Sequence, residues 1–173
     1  MNLKKNILTA LLLAIGFILH QLVPGALGSM KFDIMLSVIF VSIFINSEFK
    51  NAVLTALLGG IITALTTTFP GGQLPNIIDK LVTCMVVFAM VKIAEKIKFN
   101  KISAGIIAFV GTIVSGSVFL YSALLIVGLP APFGALFIGI VLPTAVTNIF
   151  VTVAVYGAVN MALKMSNFSL ARQ

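Results

Sequence analysis

The sequence predicts an all-α integral membrane protein, a bundle of six transmembrane helices with both termini on the cytoplasmic side. Three observations carry that expectation. Of 173 residues 60% are hydrophobic and only 9% charged, with a mean hydropathy of +1.21; a water-soluble domain of this size needs far more charge to cover its surface. The apolar residues come in blocks long enough to cross a bilayer, which takes about 20 residues of helix. Cations gather at alternate block ends, where they select orientation.

The blocks follow in order. Lys4 and Lys5 precede the first stretch, Asn6 to Val23. With the small residues from Ala26 to Ser29 this start imitates a secretory signal peptide, but no soluble product follows, so a retained first helix is expected. The second stretch, Phe32 to Ile45, is short for a span and needs tilt or a thin contact zone. The third runs from Asn51 to Thr67, the fourth from Ile77 to Ala94 and the fifth from Ile102 to Val127. The sixth, Ala135 to Leu163, is long and contains Pro143. That predicts a kink, or a short helix followed by a longer one starting near Pro143.

Charge tests the count. With the N-terminus inside, the cytoplasmic segments hold Lys4, Lys5, Lys50, Lys92, Lys96, Lys98, Lys101, Lys164 and Arg172, and the outer segments only Lys31 and Lys80. A seventh span would strand the C-terminal cations outside, against the positive-inside bias. The net charge of +7 thus reads as orientation in a lipid bilayer. It does not point to nucleic acid, because no basic stripe interleaved with aromatics is present. Cys84, the only cysteine, excludes an internal disulfide and a cysteine-based metal cluster, and within an apolar block it reads as packing.

The connections differ in kind. The inner ones, "NSEFKN" and "EKIKFNK", look like solvated turns. The outer ones, "VPGALGSMKFD", "FPGGQLPN" and "GLPAPFG", each carry proline and two glycines and cannot extend a helix. The asymmetry places the chemistry on the outer face. Lys31 and Lys80 each stand beside an acid, Asp33 and Asp79. The acids suit helix N-termini, and Asn76 to Asp79 has the form of a capping box. The lysines oppose the dipole there, so each balances its acid, marks a place for an anion, or snorkels as an interfacial anchor. A ligand carboxylate on Lys31 or Lys80, with an amino group on Asp33 or Asp79, makes both pairs intelligible. Gln73 and Asn76 add amides, Thr66 to Thr68 hydroxyls, and Phe69, Tyr121 and Phe133 an apolar slot, although aromatics at this depth also serve as interface anchors. Asn148, just after Pro143, is a polar group in an apolar zone that glues helices or contacts substrate. His20 reads as a hydrogen-bonded interface residue.

Other chemistry is missing. No G-x-x-x-x-G-K-[ST] run is present with which to use ATP. One histidine and one cysteine leave no catalytic or metal constellation, so neither an enzyme nor a cofactor is expected. All four acids sit at span ends, which leaves no proton relay. A driving force then comes from another subunit, and Ala10 and Ala14 on the first helix form a small-x-x-x-small pair that admits a partner helix. The alternative for that pair is packing within this bundle.

These features together resemble the substrate-binding S components of energy-coupling factor transporters, which are six-helix proteins with both termini inside and an Ala-x-x-x-Ala pair on helix 1. "GSMKFD", "NSEFKN" and above all "ALTTTFPGGQLPNIIDK" are similar to the tryptophan-specific branch, with Phe32 where its members read proline. The resemblance implies capture of tryptophan at the outer face of the cell membrane. It implies docking through helix 1, at Ala10 and Ala14, on a transmembrane coupling subunit carrying two cytoplasmic ATPases, and ATP-driven toppling that releases substrate inside. The rival readings are an S component for another amphipathic substrate such as an aromatic vitamin, an autonomous carrier, and a structural membrane protein without a ligand.

Overall fold

The computed structural model describes residues 3–23, 30–97 and 99–165. The run Ala26 to Ser29 and the cations Lys98 and Arg172 lie outside the described residues. The described chain is helical: α1 (Leu3–Leu22), α2 (Met35–Ile45), α3 (Phe49–Thr66), α4 (Gln73–Ile97), α5 (Lys101–Ile126), the short α6 (Phe133–Leu136), a π-helical turn (Phe137–Val141) and α7 (Leu142–Met165). Lys5–Leu22, Phe49–Thr66, Lys101–Ile126 and Phe133–Met165 are long and apolar enough to cross a membrane.

The other two helices depart from that pattern for physical reasons. α2 has 11 residues, and every one from Met35 to Phe44 is buried. It packs on α1, α3, α4, α5 and α7. A helix enclosed on all sides is apolar all round and has no lipid thickness to match. The expected tilt or thin contact zone is therefore not required of it. α4 starts at Gln73, ahead of the expected Ile77, and tolerates Pro75 because first-turn N–H groups have no intrahelical partner. Asn76 thus lies inside the helix, where its Nδ2 donates to Gly72 O at 2.8 Å. The capping box expected from Asn76 and Asp79 does not form.

α3 packs most extensively on α4. Its buried face is small: Ala52, Thr55, Ala56, Gly59, Gly60 and Thr63. A Cβ at Gly60 would stand 3.3 Å from Ile77 Cα, a tight contact with backbone, so the glycine eases the close approach of the two helices. α5 is capped by Asn100, whose Oδ1 accepts from Ser103 N at 2.8 Å. In the last apolar segment the break expected near Pro143 takes the form of the π-helical turn that ends at Val141. Proline has no N–H and crowds the carbonyl four residues back, and a wider turn relieves both.

Two apolar clusters result. The larger surrounds α2, with Leu12, Phe40, Val87, Val91 and Ile107 among its members. The smaller lies where α1, α3 and α5 finish and α6 and the π turn begin, with Met30, Phe69, Phe119, Leu120, Leu136 and Ile140.

Candidate functional site

Beside the smaller cluster a cavity opens at this end of the bundle. It encloses about 580 Å³ of empty space with its mouth and adjoining solvent included. α1 contributes His20, and the connector before α2 contributes Met30, Lys31 and Asp33. The end of α3 and the turn after it give Thr63, Thr67, Thr68 and Phe69, and α4 gives Asn76 and Asp79. α5 presents Thr112, Ser115, Gly116 and Phe119 on successive turns, and the last segment Ile140, Val141 and Thr144. Phe69 meets Phe119 edge to face with ring centroids 5.5 Å apart, which forms an aromatic wall.

The charged groups are distributed unequally. Lys80 is 1% exposed, and its Nζ donates to Asp33 Oδ2 at 2.6 Å and to Asp79 Oδ2 at 2.5 Å. Thr83 Oγ1 donates to the other Asp79 oxygen at 2.8 Å. Lys80 is therefore consumed by two carboxylates and does not line the cavity; the possibility that it simply balances acids is the one the geometry realises. Lys31 reaches the carboxyl end of α3, where Nζ donates to Thr66 O at 3.3 Å. There the helix dipole favours a cation, so its position is not the unfavourable one expected at an N-terminus. No carboxylate among the described residues pairs with Lys31.

Asn148 is fully buried and does not border the cavity. Its Nδ2 donates to Asp33 O at 3.1 Å and to Thr112 Oγ1 at 3.1 Å, and its Oδ1 accepts from Ser37 at 3.0 Å. It ties α7 to α2, α5 and the connector, so of its two expected roles the structure shows glue. Three further expectations are corrected. Tyr121 is 61% exposed on the outside of α5, Gln73 is exposed at the start of α4, and Phe133 stacks on Phe137 away from the cavity. Lys31, Asp33, Phe69, Asn76 and Asp79 do share the cavity. Phe119, Ser115, Thr112 and Thr144 were missed. The run "GTIVSGSVF" in α5, with Thr112, Ser115, Gly116 and Phe119 at helical spacing, is the signal that points to them.

Gly116 shapes the wall. A Cβ there would stand 2.4 Å from Val141 Cγ1. Gly116→Ala is expected to displace the π turn and cost about 1–3 kcal/mol of stability. A lowered thermal midpoint checks this. Gly134→Ala, with nothing within 4 Å of the added carbon, is the control and leaves the midpoint in place.

Residues 2–164 match the family described as "Tryptophan transporter TrpP". The chain belongs to this family. A probable tryptophan transport protein of Clostridium acetobutylicum is 48% identical over 95% of this chain and 96% of its own length. One of Bacillus subtilis is 44% identical over 97% of each, and one of Clostridium perfringens 39% identical over 96% of each. No solved structure matches the chain. Membership in the TrpP family agrees with the resemblance carried by "ALTTTFPGGQLPNIIDK", and with the apolar helices it makes the chain a multi-pass protein of the bacterial cell membrane. On the TrpP chain Ala10 and Ala14 fall on the exposed side of α1, flanked by Ile7, Leu11 and Ile18, so they do not serve packing inside this bundle.

Proposed function

We propose that this chain captures tryptophan in the cavity from the outer face of the membrane, as the substrate-binding subunit of an energy-coupling factor transporter. The carrying observation is the segregation of charge in an apolar cavity. Lys31 stands apart from the acids, while Asp33 and Asp79 share the single ammonium of Lys80. The four formal charges sum to zero, with a cationic and an anionic pole. A zwitterion fits that dipole, its carboxylate toward Lys31 and its ammonium toward the acids. The aromatic wall of Phe69 and Phe119 with Ile140 and Val141 suits an indole, and the hydroxyls of Thr112, Ser115 and Thr144 offer acceptors for its N–H. The relatives named as tryptophan transport proteins support the same ligand.

The transport cycle follows from the topology. Six spans with both termini inside put the cavity outside, because α1 runs toward it. The sequence carries no phosphate-binding loop, so ATP is used by partner subunits, two cytoplasmic ATPases joined through a transmembrane coupling subunit. The exposed small-residue face of α1 at Ala10 and Ala14 is where that subunit docks.

Calorimetry on the purified protein tests the ligand: tryptophan is expected to bind in the micromolar range or tighter, and no binding overturns the reading. Lys31→Ala is expected to weaken tryptophan by about 1.5–3 kcal/mol, the worth of a hydrogen bond to a charged group. Tryptamine, which lacks the carboxylate, should bind the variant and the parent equally. A parallel loss for both ligands would assign Lys31 to structure alone.

A further inference from the structure

One corner of the cavity holds two polar atoms with nothing to bond. His20 is 5% exposed, and its Nδ1 has no hydrogen-bond partner among the described residues. Asp33 Oδ1 is buried and equally without a partner among them. The two atoms lie 3.7 Å apart, too far to bond each other. Both residues border the cavity. A nitrogen about 2.8–2.9 Å from each completes a triangle with normal hydrogen-bond lengths. Neutral imidazole accepts through Nδ1 when Nε2 carries the proton, and an ionised carboxylate only accepts, so the corner calls for a donor. It calls for a positive one as well, since Asp33 and Asp79 together have only Lys80.

Asp79 does not compete for this role. It is 1% exposed, and both its oxygens are engaged, by Lys80 and Thr83. Of the two acids, Asp33 alone keeps an oxygen without a side-chain donor, the backbone N–H of Leu36 being the other group near its carboxylate, and His20 is the side chain placed beside that oxygen.

We propose that His20 Nδ1 and Asp33 Oδ1 form a primary-ammonium subsite, which accepts ligands bearing a protonated amine and discriminates against the same skeleton without one. His20 is then a specificity-determining residue. The proposal rests on the cavity being the substrate site and adds the part of the ligand that is read there. Two bland alternatives exist: a water bridging the same two atoms, or a protonated His20 closing on Asp33 as a tether. Neither makes ligand selectivity depend on His20.

The test compares L-tryptophan with indole-3-propionate, the same acid without its amine, by calorimetry on the full chain in nanodiscs. The unmodified protein is expected to prefer tryptophan by roughly 10–100-fold, the range for one charge-assisted hydrogen-bonded group. His20→Phe keeps an aromatic ring and removes both nitrogens. It is expected to lose most of that preference through weaker tryptophan binding, with the affinity for indole-3-propionate unchanged. His20→Gln, which retains an acceptor, should recover part of the preference and serves if the phenylalanine variant does not fold. Equal affinities in the unmodified protein, an equal loss of both ligands in His20→Phe, or a preference untouched by that change would each overturn the proposal. If tryptophan itself does not bind, thermal shift with tryptamine and other aromatic amines against their deaminated analogues separates the two readings. Amine-dependent stabilisation that disappears in His20→Phe keeps the subsite and removes only tryptophan as its ligand. Stabilisation by none, or regardless of the amine, removes the subsite too.

Discussion

Lys80→Ala is expected to destabilise the protein by about 3–5 kcal/mol, the cost of breaking a buried ion pair by removing one partner. The side chain is among the largest fully buried ones, and its ammonium holds Asp33 from the α1–α2 connector and Asp79 of its own helix. Without it two carboxylates face each other's charge in an apolar interior, and Asp79 is left with the neutral hydroxyls of Thr83 and Ser115. Asp79→Asn should cost clearly less, because Lys80 and Asp33 then remain as a one-to-one pair. Thermal unfolding in detergent reads both. A loss for Lys80→Ala no larger than that for exposed Lys50→Ala would show that the ammonium does not hold the connector in place. In a carrier of small ligands the consequence is that Lys80 acts through Asp33, whose remaining oxygen it keeps in the cavity, and not on a ligand carboxylate.

Ala14→Trp, and likewise Ala10→Trp, is expected to reduce tryptophan uptake by cells to background while the purified variant binds tryptophan with unchanged affinity. Both alanines are exposed on α1, so an indole added there starts on the side of the helix that faces away from the bundle. The cavity residue on the same helix, His20, lies six positions beyond Ala14, about 9 Å along the axis. A loss of uptake without a loss of binding would then point to a helix outside this chain, which small residues admit and a tryptophan excludes. Ile93→Trp, on an exposed part of α4, is the control for a bulky residue added to another exposed helix face. Uptake by Ala14→Trp equal to that of Ile93→Trp would remove the docking face, and loss of binding together with uptake would indicate misfolding.

The helices were legible because the solvent dictates them. In hydrocarbon every backbone group must be satisfied within the segment, so long apolar blocks become helices wherever charge and proline allow. The expected blocks and the observed α1, α3 and α5 differ by three residues or fewer at each end. α4 extends further, since Gln73, Pro75 and Asn76 still fit a first turn, and composition alone placed them in a loop. Faces were harder to read. Phe119 borders the cavity and Tyr121 points away from it, two residues apart on one helix. In a soluble helix polarity would separate those faces, but lipid is as apolar as the core and erases the contrast.

Sequence by itself determined that this chain is a membrane helix bundle, that its unusual polarity gathers at one end, and which family it belongs to. Those properties depend on composition and local order, which any reading of the chain contains. The tertiary structure decided which polar groups are spent on one another and which are left for a ligand. Asp33 and Lys80 are 47 positions apart and bond at 2.6 Å, whereas Lys31 lies two positions from Asp33 and bonds to α3 instead. The cost of burying a charge is set by the groups around it in space, and for Asp33, His20 and Lys80 those groups arrive from three different parts of the chain.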